Sequence, residues 1–143
     1  MTGAGNRLIE GSPRGREAPD AAMEPRKILI VDDDADIVRI ICTMLEGHGW
    51  RVLTAHDGEA ALRLIREERP DVALVDIMMP RMNGIEVLRE ARRIAPGLCI
   101  IMITAFGDVA SYLDSMDLGA CEYINKPFET SELLALIRRV AGP

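Results

Sequence analysis

Residues 28–34 read Ile-Leu-Ile-Val-Asp-Asp-Asp, a short run of strand-forming apolar residues that ends in three carboxylates. Three later stretches have the same form: Val-Ala-Leu-Val-Asp at 72–76, Ile-Ile-Met-Ile-Thr at 100–104 and Tyr-Ile-Asn-Lys-Pro at 123–127. A continuous apolar run of this length is typical of a strand buried on both faces of a parallel sheet. Because the same ends of parallel strands meet at one edge, the polar residues that end these runs are predicted to form one site.

Between these stretches, helical and strand patterns alternate with short connections. This pattern predicts right-handed βαβ units, and hence a doubly wound five-stranded parallel sheet with five helices on both faces. The three wholly apolar runs suit interior strands and the more polar strands suit the edges, which favours the flavodoxin-like order 2-1-3-4-5. The predicted strands are 27–31, 51–55, 72–76, 98–103 and 122–125, and the predicted helices are about 35–46, 58–68, 83–95, 108–118 and 130–141.

Length and composition set limits on the class of protein. A chain of 143 residues fits one domain, predicted at 26–143, while the Gly- and Pro-rich residues 1–25 are predicted to be a disordered tail. The net charge of −6 argues against direct nucleic-acid binding, and no apolar run approaches the ~20 residues of a membrane span. An odd number of cysteines without CxxC spacing predicts small buried thiols in a reducing cytoplasm; they are Cys42, Cys99 and Cys121.

The first helix is expected to turn one apolar face to the core, formed by Ile37, Ile40, Ile41, Met44 and Leu45.

The acidic residues of the predicted site point to a bound cation. Two unit charges ~4 Å apart repel by about 4 kcal/mol at an effective dielectric of about 20, so Asp32, Asp33 and Asp76 need a cation or a proton between them. A site of oxygen ligands without His or Cys favours a hard ion, Mg²⁺, over Zn²⁺.

Thr104 and Lys126 extend this interpretation to phosphoryl transfer. A phosphoryl group carries three peripheral oxygens, which Mg²⁺, the Lys126 ammonium and the Thr104 hydroxyl could each contact, with Asp76 as the nucleophile. Each residue alone has a structural explanation, such as helix capping for an Asp-Asp pair before a helix. Because these residues occur together at four strand ends, a functional explanation is favoured over separate structural ones.

These motifs closely resemble the receiver domain of bacterial two-component response regulators. The resemblance covers about residues 26–141 and rests on Asp-Asp-Asp at 32–34, Asp-Ile-Met-Met-Pro-Arg-Met-Asn-Gly at 76–84, Thr-Ala at 104–105 and Lys-Pro-Phe at 126–128. It implies that Asp76 accepts a phosphoryl group from a histidine kinase or a histidine phosphotransfer protein, with Mg²⁺ required. It also implies that Asp32, Asp33, Asp76 and the Met78 main-chain carbonyl hold the metal, Asp33 more directly than Asp32, and that Lys126 contacts the phosphoryl group.

The resemblance further implies a switch rather than an enzyme. Thr104 turns towards the phosphoryl oxygens, Tyr123 moves inward with it, and a downstream protein reads the changed surface of helix 4, strand 5 and helix 5. The positions that tune the lifetime of the phosphoryl group are Met78 and Phe106, both apolar, which predicts slow self-dephosphorylation. A homodimer linked to phosphorylation is an additional expectation.

Several alternatives remain at this stage. Only Ala-Gly-Pro follows the last predicted helix, so a stand-alone receiver that acts through protein contacts is the first hypothesis, and a receiver excised from a longer transcription regulator or hybrid kinase is a version of it. A receiver fold that signals without phosphate is a second class. A flavodoxin-like electron carrier would need a Ser/Thr-rich phosphate loop after the first strand, where three aspartates stand. An acid phosphatase would need a general acid two residues after its nucleophile, where this chain has Met78.

Overall fold

The computed structural model describes residues 26–105 and 108–142, within which five strands alternate with five helices. All neighbouring strands are parallel, and the sheet order 2-1-3-4-5 confirms the predicted topology. The predicted tail at residues 1–25 lies outside the described residues. In chain order the elements are β1 (Lys27–Val31), α1 (Ala35–Glu46), β2 (Arg51–Ala55), α2 (Gly58–Glu68), β3 (Val72–Asp76), α3 (Gly84–Ile94), β4 (Cys99–Ala105), α4 (Val109–Asp117), β5 (Glu122–Lys126) and α5 (Thr130–Ala141).

The interior strands are apolar at every position because both faces of the sheet are covered. In β1, Leu29 and Val31 face the core that packs against α2 and α3, and Ile28 and Ile30 face the core that packs against α1 and α5. The same alternation continues through β3 and β4, whose buried side chains join the two cores in turn. The two more polar strands, β2 and β5, lie at the edges as the sequence predicts.

Short polar residues begin four of the helices at the carboxyl edge of the sheet. The side chains of Asp34, Asp57, Asn83 and Asp108 each accept a hydrogen bond from a backbone N–H in the first turn of the helix that follows. Asp34 caps α1, in line with the helix capping that the sequence allows for aspartates before this helix. These caps fix the loops in which the site residues lie, so local sequence sets part of the site geometry.

The structure corrects three expectations. Strand β4 continues to Ala105 instead of ending at 103, because Thr104 and Ala105 still pair with the last residues of β5. Ile40 is 54% exposed, since the buried stripe of α1 follows the spacing of Val38, Ile41 and Leu45 and Ile40 points away from it. Cys121 is exposed and the other two cysteines are half-buried, so the thiols are not the buried set that was predicted.

None of the helices within the described ranges has both the length and the apolar character needed to cross a bilayer.

Candidate metal centre

Three carboxylates meet at the carboxyl edge of the two central strands. Asp76 is the last residue of β3 and Asp32 directly follows β1, and these strands are hydrogen-bonded neighbours in the sheet. Asp32, Asp33 and Asp76 each offer one oxygen, and these oxygens lie within 4.8 Å of one another. Asp32 and Asp76 are buried and Asp33 is exposed, so the cluster is open to solvent on one side.

Lys126 brings the positive charge to this cluster from the end of the edge strand β5. Its ammonium lies 3.1 Å from Oδ2 of Asp32 and 3.3 Å from Oδ2 of Asp76. The lysine donates a hydrogen bond to Asp76, whereas its contact with Asp32 is an ion pair without the angles of a hydrogen bond. One ammonium cannot neutralise three carboxylates, so the site retains a capacity for further positive charge.

Burial and mutual repulsion change the ionisation of the central groups. Burial, followed by the charge of Asp32, raises the pKa of Asp76 from 3.8 to about 6, and Lys126 opposes this rise. Burial lowers the pKa of Lys126, but the two carboxylates outweigh it and the pKa is raised overall. Lys126 therefore stays charged, and Asp76 is ionised at neutral pH at a cost in free energy.

The donor set fits a hard divalent cation. Within the described residues, Oδ2 of Asp32 is buried and accepts no hydrogen bond, although the Lys126 ammonium lies 3.1 Å from it, while its Oδ1 accepts one from the Asp34 N–H at 2.9 Å. Asp32 and Asp76 share this one ammonium, so a divalent cation would supply positive charge that the two buried carboxylates lack. The Met78 N–H donates to Oδ1 of Asp76 at 3.3 Å, which fixes the orientation of that carboxylate. Oxygen ligands at a solvent-facing edge are the arrangement in which Mg²⁺ keeps several waters.

Gly84 packs directly beneath the phosphoacceptor candidate. A Cβ atom added at Gly84 would lie 2.3 Å from the carbonyl oxygen of Asp76 and 2.7 Å from Cα of Ile77. No side chain fits there, so the backbone of α3 and the end of β3 approach each other only through glycine. The sequence motif at 76–84 contains Gly84 without indicating its role. The feature that could have indicated a close backbone approach is a glycine at the start of a predicted helix.

An apolar recess of about 610 Å³ opens beside the carboxylates. Asp33, Asp76 and Lys126 line it together with the apolar residues Ile37, Ile40, Ile41, Met78, Ala105, Pro127 and Phe128, besides Asp34 and Thr130. The sequence analysis did not anticipate this recess, because it assigned Ile40 to the core. The exposed side chains of Ile40 and Met78 instead lie next to the polar site.

The remaining predicted residues lie at different distances from the cluster. Thr104 is buried near the end of β4, one strand from Asp76, and its hydroxyl makes only a weak contact of 3.5 Å with the Ala105 carbonyl. Met78 is adjacent through its backbone, while its side chain is 69% exposed. Phe106 lies outside the described residues.

Tyr123 does not contact the carboxylates. It is half-buried in β5, and its ring lies 4.3 Å from the ring of Tyr112 on α4, with the planes at 46°. Sequence reasoning missed Tyr112, because no local pattern connects a helix residue with an aromatic residue on the next strand. The pairing appears only when α4 and β5 are placed side by side.

Comparison with known proteins gives consistent matches over this fold and site. The sequence pattern of the response regulator receiver domain matches residues 28–138. A receiver domain protein described as CheY-like, from Methanospirillum hungatei JF-1, superimposes with a TM-score of 0.80 at 35% identity, over 82% of this chain and 94% of that one. Chemotaxis protein CheY4 of Vibrio cholerae gives a TM-score of 0.77 at 31% identity, over 81% of this chain and 98% of that one.

Similar curated proteins are longer regulators. The chain is 49% identical over 114 residues to the probable transcriptional regulator ycf27 of Guillardia theta, which covers 80% of this chain and 44% of that protein. It is 42% identical over 113 residues to the DNA-binding response regulator MtrA of Mycolicibacterium paratuberculosis, covering 79% of this chain and 50% of that protein. The chain thus spans about half the length of the curated relatives that it matches.

Proposed function

Because the chain belongs to the response regulator receiver family, we propose that it is a signalling switch whose phosphoacceptor is Asp76. The phosphodonor is the phosphohistidine of a histidine kinase or a histidine phosphotransfer protein, and Mg²⁺ is the cofactor. The observation that carries this proposal is the cluster of three carboxylate oxygens within 4.8 Å, with the Lys126 ammonium 3.3 Å from Asp76.

The proposed reaction is a direct phosphoryl transfer between side chains. A carboxylate oxygen of Asp76 forms a bond to phosphorus while the phosphorus–nitrogen bond of the donor breaks, and the imidazole nitrogen takes the electron pair. Only the ionised carboxylate has the required lone-pair nucleophilicity, and a pKa of about 6 keeps Asp76 ionised at neutral pH. The product is an aspartyl phosphate and, once the imidazole ring has taken up a proton from water, a neutral histidine.

The charged neighbours of Asp76 would stabilise this transfer. Mg²⁺ would supply positive charge to the phosphoryl oxygens, and the carboxylates of Asp32, Asp33 and Asp76 with the main-chain carbonyl of Met78 would hold it. The Lys126 ammonium already contacts two of these carboxylates and would pair with a phosphoryl oxygen. The Lys126 ammonium and a bound Mg²⁺ would therefore orient the nucleophile and offset the charge that the phosphoryl group brings.

Phosphorylation would then change the surface formed by α4, β5 and α5. We assign Thr104 the hydroxyl that turns to the phosphoryl oxygens and Tyr123 the ring that moves inward, and a downstream protein or a second copy reads the result. Met78 and Phe106 lack groups that could position an attacking water, so the phosphorylated state is expected to be long-lived. We assign these functions to a domain at 26–143 in the cytoplasm.

The output of the switch has two candidates. The first is a stand-alone receiver that acts through protein contacts, which the net charge of −6 favours over direct contact with nucleic acid. The second is control of a DNA-binding output, which the names of ycf27 and MtrA and their greater length favour. A DNA mobility assay on the phosphorylated chain tests the first candidate, because retardation by this chain itself would contradict it.

Intact mass after incubation with a small acyl phosphate and Mg²⁺ tests the proposal. We expect the gain of one phosphoryl group, absent with EDTA and absent in Asp76→Asn. Asp36→Asn is the matched control, because Asp36 is an exposed aspartate of α1 outside the cluster and its loss should leave uptake unchanged. No uptake by the parent, under conditions that phosphorylate another receiver, would contradict the proposal and favour a module that signals without phosphate.

A further inference from the structure

Helix α4 is held loosely compared with the other helices. Of its residues, Val109–Asp117, only Ser115 is buried, and the Ser115 hydroxyl has no hydrogen-bond partner within the described residues. Three apolar side chains of the same helix are exposed, namely Val109, Leu113 and Met116. A helix that buries one small polar residue has little packing energy to fix its position, so a single good contact has a large influence on it.

The ring pair Tyr112–Tyr123 is such a contact. The centroids lie 4.3 Å apart with the planes tilted by 46°, slightly closer than the ~4.5–7 Å typical of favourable aromatic pairs, so the two rings are in direct contact. Tyr112 belongs to α4 and Tyr123 to β5, so the pair joins the loosely held helix to the edge strand of the sheet. The contact also fixes the ring of Tyr123, the residue to which the proposed function assigns the inward movement.

We propose that Tyr112 is a positioning residue that holds Tyr123 in its resting place and thereby opposes switching in the unphosphorylated protein. This inference rests on the proposed function, since it concerns the regulation of the same site. In this proposal, inward movement of Tyr123 breaks its contact with the Tyr112 ring, and the lost aromatic contact is part of the free-energy difference between the two states. An aromatic pair of this kind shifts a two-state equilibrium about two- to tenfold.

Removing the Tyr112 ring should therefore ease phosphorylation. Because phosphorylation and the inward position of Tyr123 favour each other, a variant that populates the inward position more often takes up the phosphoryl group faster. We expect the initial rate of uptake from a small acyl phosphate with Mg²⁺ to rise about two- to tenfold in Tyr112→Ala. Tyr112→Phe keeps the ring and should retain the parental rate.

Leu113→Ala is the matched control for a general loosening of α4. Leu113 is the next residue along the same helix, and its side chain is 54% exposed. If the effect of Tyr112→Ala came only from a less stable helix, Leu113→Ala would accelerate uptake to a similar extent. A rate in Tyr112→Ala no higher than in Leu113→Ala would overturn the inference while leaving phosphorylation at Asp76 intact.

A second measurement distinguishes inward movement of the Tyr123 ring from its simple exposure to solvent when the Tyr112 ring is removed. The chain has two tyrosines, so Tyr123 is the only one left in both Tyr112→Ala and Tyr112→Phe. Broadening of its ring signal by a soluble paramagnetic reagent reports its exposure. Release inwards predicts less broadening in Tyr112→Ala than in Tyr112→Phe, and more broadening would overturn the inference. No phosphoryl uptake by the parent or by any variant would overturn the proposed function and this inference together.

Discussion

Replacing Asp76 with asparagine removes one of two buried carboxylates that lie side by side at the ends of β1 and β3. In the metal-free protein at neutral pH, we expect this change to increase the free energy of unfolding. The reason is the raised pKa of Asp76, which shows that its ionised form is less stable in the folded chain than in water. An asparagine has a similar shape without the charge, so it avoids this cost.

The magnitude follows from the shift of the Asp76 pKa. A rise from 3.8 to about 6 corresponds to ~3 kcal/mol at 1.36 kcal/mol per pKa unit. This shift already includes the favourable contacts of the ionised carboxyl with Lys126, which oppose the rise. The net gain in stability should therefore be ~3 kcal/mol above pH 6, and Mg²⁺ should reverse the order by stabilising the parent more than the variant.

The dependence on pH has a definite sign. A carboxyl group with a raised folded-state pKa takes up a proton on folding between the two pKa values, so the stability of the parent falls as the pH rises from 3.8 through about 6. The advantage of Asp76→Asn should thus be full above that window and disappear below it.

Urea unfolding in EDTA, at about pH 8 and at about pH 4.5, measures both effects. Asp36→Asn is the control, since it breaks only an exposed ion pair with Arg39 and should change stability by less than about 0.5 kcal/mol. If Asp76→Asn were no more stable than the parent at the higher pH, or if its advantage were the same at both pH values, the reasoning from burial and repulsion would be refuted.

Three further changes test other parts of the structure. Gly84→Ala should lower the free energy of unfolding by about 1–3 kcal/mol, because the added Cβ would lie 2.3 Å from the Asp76 carbonyl oxygen. Gly97→Ala is the control, since a Cβ there meets nothing within 4 Å and should change the free energy of unfolding by less than about 0.5 kcal/mol. Equal values for the two variants in urea unfolding would contradict this. Asn83→Ala breaks the capping box of α3 and should cost about 1 kcal/mol in the same assay, and an unchanged midpoint would argue against the cap. Met78→Asn should accelerate loss of the phosphoryl group, followed by intact mass, because the amide can orient water; an unchanged rate would count against the predicted long lifetime.

The order of the strands could be predicted because hydrophobic pattern and chain connectivity act together. Continuous apolar runs identified the strands covered on both faces, and Arg51 and Glu122 in the other two marked the edges of the sheet. The end of β4 could not be predicted, because Thr104 is compatible with a loop and only its pairing with β5 extends the strand. Local sequence therefore identified the strands, and neighbouring strands set their ends.

The site was partly predictable for a related reason. Asp32 and Asp76 lie at the same ends of two parallel strands that are neighbours in the sheet, so their proximity follows from the fold. The exposure of Ile40 and the ring contact of Tyr112 do not follow, because they depend on the rotation of α1 and on how α4 lies against β5. Such rotations are decided by packing between helix and sheet, which a single sequence does not specify.

The Asp32, Asp76 and Lys126 side chains come from residues far apart in the chain and are brought together by three different strands of one sheet. Any fluctuation that separates these strands also disperses the charges, so no form in which they have separated retains the complete cation site. Mg²⁺ would therefore bind the closed sheet and not the forms in which it has opened, and it should slow amide hydrogen exchange along the central strands as well as near the carboxylates. Occupancy of one edge of the sheet would in this way determine how often the whole molecule opens.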